Sequence, residues 1–169
     1  AHINAADMGT LLDDSDALAQ DLSTFDRTLQ VNLRGHLLCT RAVLPHMLSA
    51  GEGSIVYTSS GAAHVGEKTR PAYAVSKAGI NALMRHVASR WGKDGITANC
   101  VAPGLVVTPE MTASGRLPEG FEQMMLAGTP STRLGEVDDI AGVVAMLLSG
   151  DGRWINGQVL HVNGGVLMP

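Results

Sequence analysis

Aromatic side chains make up only 4% of this chain, and it contains just two cysteines. Cys39 and Cys100, each set in an apolar run, are too few for a disulfide framework and suit a reducing compartment, so a cytoplasmic protein is expected. The twelve Lys and Arg form no cluster, and against sixteen Asp and Glu they leave a formal net charge of -4. That balance argues against nucleic acid and anionic membranes as partners. No apolar run approaches the roughly 20 residues of a membrane span. The six His are scattered without paired-ligand spacing, so no metal site is expected. No segment resembles a Gly-rich phosphate loop. There is no signal peptide, and the opening Ala1-His2-Ile3-Asn4-Ala5-Ala6 reads as the tail of an apolar strand, which points to a fragment.

What the chain does have is core: 45% of its 169 residues are hydrophobic, enough for a single domain over 1–169. A polar stretch from Asp13 to Asp21 carries turn and capping chemistry. Ser23 followed by Asp26 predicts a helix start, because a hydroxyl caps free N–H groups and a carboxylate suits the positive end. This helix should run to about Ser49 with Leu29, Leu33, Leu37 and Leu44 buried, and Pro45 should bend or weaken its last turns. Gly51-Glu52-Gly53 breaks the chain, and Ser54 to Thr58 reads as a short buried strand. Pro71 opens a helix through about Trp91 with two apolar stripes: Ile80, Met84, Val87 and Trp91 on one, Val75, Gly79, Ala82 and Leu83 on the other. A helix apolar over so wide an arc packs on two neighbours, one of them from another subunit, or lies deep in one core. Ile96 to Ala102 is a second buried strand ending in Pro103-Gly104. The stretch from Thr108 to Arg133 suits a mobile segment with a short helix, in which Met111, Met124 and Met125 fit a lid or a core equally. Asp138 should cap a helix of Ile140, Val143, Val144, Leu147 and Leu148, and Gln158 to Val162 forms a last strand before Asn163-Gly164-Gly165. Helices alternating with continuously apolar strands signal an α/β fold with a parallel sheet of about four strands.

Chemistry enters with Tyr73 and Lys77 in the run Pro71-Ala-Tyr-Ala-Val-Ser-Lys-Ala-Gly79. Residues i and i+4 of a helix share a face, which brings the ammonium beside the phenol. A phenol titrating at about 10 is a poor base at neutral pH, and a neighbouring cation favours its phenolate. With a hydroxyl nearby, such as Ser60, the pair is suited to moving a proton on and off a carbinol oxygen. Standing alone, the spacing fits equally a half-exposed helix with a solvated Lys. It does not stand alone.

Along nearly its whole length the sequence resembles the short-chain dehydrogenase/reductase family, with its single-domain Rossmann fold. Asn4-Ala5-Ala6 resembles the end of the family's Asn-Asn-Ala-Gly strand, and Val31-Asn32-Leu33 the helix that supplies its active-site Asn. Ser54 to Ser60 resembles the strand carrying its Ser, and Tyr73 to Lys77 its Tyr-x-x-x-Lys. Pro103-Gly104-Leu105-Val106-Val107-Thr108 resembles the segment against the nicotinamide, and Gly157 to Gly165 the closing strand. That ending looks most like the 3-oxoacyl-thioester reductase branch.

The resemblance implies roles. Tyr73 would exchange a proton with the substrate oxygen, while Lys77 would depress the Tyr73 pKa and hold the nicotinamide ribose. Ser60 would hydrogen-bond the substrate carbonyl, and Asn32 would hold a water relaying protons through Lys77. Asn4, Ala5, Pro103, Gly104, the Val106 backbone and Thr108 would line the nicotinamide side of an NAD or NADP site, and 109–135 would form a substrate-side lid. Bland readings stay open: Asn32 as a mid-helix amide, Ser59 and Ser60 as a strand end, Thr108 as a cap before Pro109, His64 as a solvated loop residue. The family's cofactor half, with its Gly-rich turn, is missing, and Ile3 and Ala6 replace its first Asn and its Gly. The first strand would then be a sheet edge, to be covered by upstream residues or another chain. The expected activity is NAD(P)-dependent hydride transfer on a small alcohol or carbonyl compound by a homodimer or homotetramer built on the helices from Ser23 and Pro71. The alternative is a truncated, non-catalytic relative acting as an oligomerisation module. Substrate and choice between NAD and NADP stay open.

Overall fold

The computed structural model describes residues 1–108, 111 and 118–168. Its centre is a four-stranded sheet in the order β1 (His2–Ile3), β2 (Gly53–Thr58), β3 (Ile96–Pro103) and β4 (Val159–Val162). Every pairing is parallel, with Ile3 opposite Tyr57, Tyr57 opposite Cys100, and Ala102 opposite His161. Parallel neighbours need crossovers, which here are helical. Their tight returns depend on glycine where the chain doubles back. Gly95 sits at φ +82, and a Cβ there would run into the Gly51 carbonyl.

The first crossover is a continuous helical path made of α1 (Leu22–Thr28), a π-helical turn (Leu29–Arg34) and α2 (Gly35–Ala50). It is capped by Asp21, whose carboxylate accepts from Thr24 N at 2.9 Å; Ser23, the expected cap, lies inside the first turn. In the π turn the Gly35 N–H reaches back five residues to the Gln30 carbonyl. The wider turn rotates the helix face. The line buried against the sheet is Thr28, Asn32, His36, Thr40 and Leu44, whereas Leu37 is 43% exposed. Of the four leucines expected inside, Leu44 is buried and Leu29 and Leu33 are half-buried. The helix runs through Pro45 to Ala50, close to the expected end at Ser49, and stops at Gly51 in the left-handed region.

α3 (Pro71–Trp91) crosses the same face. Its Ile80, Met84 and Val87 pack with Ile55, Tyr57, Ile96, Ala98 and Cys100 into the larger core, with Trp91 at the margin. Ile80, Met84 and Val87 are thus covered within the chain, so this part of the stripe is core. The second stripe is the less covered one, since Val75 and Ala82 are exposed. On the opposite face α5 (Val137–Leu148) places Val144 and Leu147 on Val56 and Val101. Its cap is Glu136, whose N–H donates to the Asp139 carboxylate at 2.8 Å, and Asp138 falls in the first turn.

Between β3 and β4, α4 (Phe121–Ala127) supplies the short helix anticipated in the stretch from Thr108 to Arg133. Residues 109, 110 and 112–117 of that segment lie outside the described residues. Met124 is exposed and Met125 half-buried. Among the described residues no helix is long and apolar enough to cross a membrane, and no cluster of three or more His, Cys, Asp or Glu is placed to hold a metal ion.

Candidate active site

In an open parallel sheet, functional residues gather where the strands end and the chain turns into helices. Here β2 ends at Thr58 and is followed by Ser59 and Ser60, and the first half of α3 rises beside it. Pro71 at the helix start fixes φ without wasting a donor. Tyr73 therefore stands in the first turn and Lys77 one turn deeper.

Lys77 is only 2% exposed. Its Nζ donates to the Thr58 carbonyl at 2.9 Å and lies 5.6 Å from the centroid of the Tyr73 ring. Burial pushes its pKa down to about 8. One of three ammonium donors is used on Thr58, which leaves two to face a ligand. The half-buried Tyr73 ring has a second cation above it, the Arg70 guanidinium, at 5.8 Å.

Asn32 is fully buried, and both ends of its amide are engaged. Oδ1 accepts from Asp7 N at 2.7 Å, and Nδ2 donates to Ser76 Oγ at 3.3 Å. Ser76 Oγ in turn donates to the Tyr73 carbonyl at 2.7 Å. The π turn that shifts the helix face is the turn that carries Asn32, so the residue sits deep beside α3.

Ser60 Oγ accepts from Ala62 N at 3.2 Å and caps a 3-10 turn over Gly61–Ala63. This bond uses a lone pair, so the hydroxyl proton is still available to a ligand. Ser59 Oγ is buried without a hydrogen-bond partner among the described residues. His64 is exposed but engaged: its Nε2 lies 3.1 Å from Asn81 Nδ2, and its ring meets His161 edge-on at 4.6 Å.

The remaining expected contacts lie at or just past the C-terminal ends of β1 and β3. Asn4 and Ala5 are exposed just past β1, while Pro103 ends β3 half-buried. Gly104 N donates to the Val162 carbonyl at 2.9 Å, and a Cβ at Gly104 would come within 2.7 Å of Asn163 Cα. Val106 bridges to Gly135, and Thr108 Oγ1 accepts from Met111 N at 3.2 Å, as a cap does.

Three structural residues escaped the sequence reading. Ser76 is hidden within the Tyr-x-x-x-Lys run itself. His36, fully buried, follows Asn32 by one turn. Asp14, in a stretch read as turn chemistry, accepts from Ala72 N and Tyr73 N. No local signal ties Asp14 to a helix far along the chain.

With this geometry in place, comparison with known proteins decides the family. The family model described as enoyl-(acyl carrier protein) reductase matches residues 2–167. The chain belongs to the short-chain dehydrogenase/reductase family. A (2S)-[(R)-hydroxy(phenyl)methyl]succinyl-CoA dehydrogenase subunit of Thauera aromatica is 43% identical over 141 residues, covering 83% of this chain and 55% of that protein. The 3-oxoacyl-[acyl-carrier-protein] reductase of Staphylococcus aureus is 37% identical over 144 residues, covering 85% of this chain and 57% of the reductase. Among solved structures, a 7α-hydroxysteroid dehydrogenase complexed with NADH and 7-oxo glycochenodeoxycholic acid superposes with a TM-score of 0.84 at 32% identity, covering 97% of this chain and 62% of that one. The chain thus spans little more than half the length of these curated short-chain dehydrogenase/reductase relatives. The chemistry of its residues is compatible with the nicotinamide end of such a cofactor: Lys77, beside the Tyr73 ring, has ammonium donors to spare, and Ser60 keeps its hydroxyl proton. Among the described residues there is no Gly-rich turn for the phosphates.

Proposed function

We propose that this chain carries the proton-transfer side of an NAD(P)-dependent oxidoreductase acting on a small alcohol or carbonyl compound. One observation carries the reading: a buried Lys77, fixed to Thr58 O, stands against the ring of Tyr73 on one helix face. NAD or NADP, when bound, supplies the hydride acceptor or donor. Tyr73 exchanges the proton with the substrate oxygen, and Ser60 donates its hydroxyl proton to the same oxygen as charge develops there. Lys77 is a cation at neutral pH and loses its charge as the pH rises through about 8. Asn32, tied to Tyr73 through Ser76, holds the wall behind the pair.

The test uses the nicotinamide half of the cofactor alone. Reduced nicotinamide mononucleotide and NADH, titrated separately into this chain by calorimetry, should bind within about threefold of each other, because the contacts present are nicotinamide contacts. Lys77→Met should abolish both. The absence of heat from either ligand at millimolar concentration would reject the reading for this chain.

A second reading, self-association through the helices that begin near Ser23 and Pro71, is favoured by a surface groove of about 590 Å³. Leu29, Leu33, Leu37 and Leu83 line it, with Asp26 and Arg34 at its rim. An apolar groove with charged edges suits an isologous dimer or a tetramer. Leu37→Asp should weaken association tenfold or more in sedimentation equilibrium while leaving the core untouched. Unchanged association would remove this face as the interface. Indifference of every function to Tyr73→Phe would instead favour a purely structural module.

A further inference from the structure

The backbone of Tyr73 is held at both ends by a ring of hydrogen bonds that leaves the catalytic set and returns to it. From Asn32 the ring runs through Ser76 Oγ to the Tyr73 carbonyl. From the Tyr73 N–H it passes to Asp14 Oδ2 at 2.8 Å, and the loop bearing Asp14 leads back to Asp7, whose N–H donates to Asn32 Oδ1. Asp14 also accepts from Ala72 N at 3.2 Å, and it is 4% exposed although it belongs to the β1–α1 loop.

α3 needs this help because it has no cap of its own. The first N–H groups of a helix lack intrahelical acceptors. Arg70, at the cap position, contributes no side-chain bond to the helix and has φ +67. Its side chain pairs instead with Glu67 at 2.6 Å. A left-handed conformation is strained for a non-Gly residue. Here the strain is offset by bonds from Arg70 N to the carbonyls of Asp14 and Ser15, at 3.2 and 2.8 Å. The loop therefore supplies the carboxylate cap and also fixes the residue before the helix.

We propose that Asp14 is a positioning residue for Tyr73, which rests on the reading of Tyr73 as the proton-transfer group. Lys77 is anchored independently by Thr58 O, one turn deeper in the helix. Tyr73 lies in the first turn, where helices fray. Its direction relative to Lys77 depends on what grips that turn, and the grip is Asp14. Misplacing a reacting group by about 1 Å can cost on the order of a hundredfold in rate.

The chain's two tyrosines make a direct test possible. Labelled with 3-fluorotyrosine, the chain gives two fluorine resonances, assigned by Tyr73→Phe. Asp14→Ala should shift or broaden the Tyr73 resonance, leave that of Tyr57 in place, and speed amide exchange at Ala72 and Tyr73 at least tenfold while Ile80 to Val87 keep their protection. In the active protein it should lower kcat ten- to a hundredfold with KM within twofold, and Asp14→Asn, which keeps one acceptor oxygen, should recover part of the loss. If Asp14→Ala does not fold, Asp14→Asn takes its place with an intermediate rise in exchange at the same two amides. An unmoved Tyr73 resonance, or loosening spread evenly over α3 and the core, overturns the proposal. Turnover that survives Tyr73→Phe would overturn the catalytic role of Tyr73 and, with it, the premise; the fluorine and exchange results would still show whether Asp14 grips the turn.

Discussion

Replacing Tyr73 with Phe should lower turnover on the order of 10³-fold while leaving the fold intact, since general acid–base groups contribute about 10²–10⁴. The substitution removes one oxygen. Tyr73 is half-buried, and its hydroxyl makes no hydrogen bond among the described residues, so no partner is orphaned. The ring keeps its contacts with the Lys77 and Arg70 cations. Melting temperature and cofactor affinity should stay near those of the parent protein. Tyr57 provides the contrast within one molecule. Its hydroxyl is buried against Thr40 Oγ1 at 2.8 Å, and burial pushes its pKa up to about 12. Tyr57→Phe should cost about 1 kcal/mol of stability through the lost bond and spare turnover. Steady-state kinetics and thermal melts of the two variants give the comparison. Equal, small losses of turnover in both would remove Tyr73 from the chemistry.

How much of this was legible in the sequence follows from how far each signal travels along the chain. The strands and α3 were readable because their patterns are local: β-branched runs bounded by glycines, and Pro at a helix start. Tyr73 and Lys77 were readable for the same reason, since a helical offset of four needs no tertiary information. Leu37 was misplaced because a regular periodicity assumes one kind of turn, and the five-residue bond from Gly35 to Gln30 breaks that regularity. The stripe of Ile80, Met84 and Val87 was recognised as apolar, but pattern alone does not say whether β2 and β3 or another subunit covers it. Asp14 illustrates the limit. Its neighbours in sequence describe a turn, while the N–H groups it satisfies belong to Ala72 and Tyr73, across the fold.

The buried polar line on the helix facing the sheet has an energetic consequence of its own. His36 is fully buried, its ring stacked on Tyr57 with centroids 6.1 Å apart, and neither ring nitrogen has a hydrogen-bond partner among the described residues. Burial first, and the Lys77 charge second, push its pKa down to about 4; the backbone at Asn32 and Ile3 opposes this to a smaller extent. Because an unfolded His titrates near 6.5, the unfolded chain takes up a proton below that pH which the folded chain refuses until about pH 4. Stability contributed by neutral His36 is therefore complete above about pH 6.5 and drains away as the pH falls to about 4, by about 3 kcal/mol in all. His161, whose pKa burial and then the His64 charge also lower, adds to the same slope, as does His2. The depressed carboxylates of Asp7, Asp16 and Asp21 act at lower pH, where they begin to take up protons. Comparison with His36→Leu isolates the one group. Urea titrations at several pH values between 7 and 4 should show the parent losing about 3 kcal/mol more than the variant over that interval. At pH 7 the variant should be no less stable, because the imidazole leaves no broken hydrogen bond behind. Identical pH slopes for the two proteins would mean that His36 accepts its proton inside the fold, with an acceptor supplied beside α2.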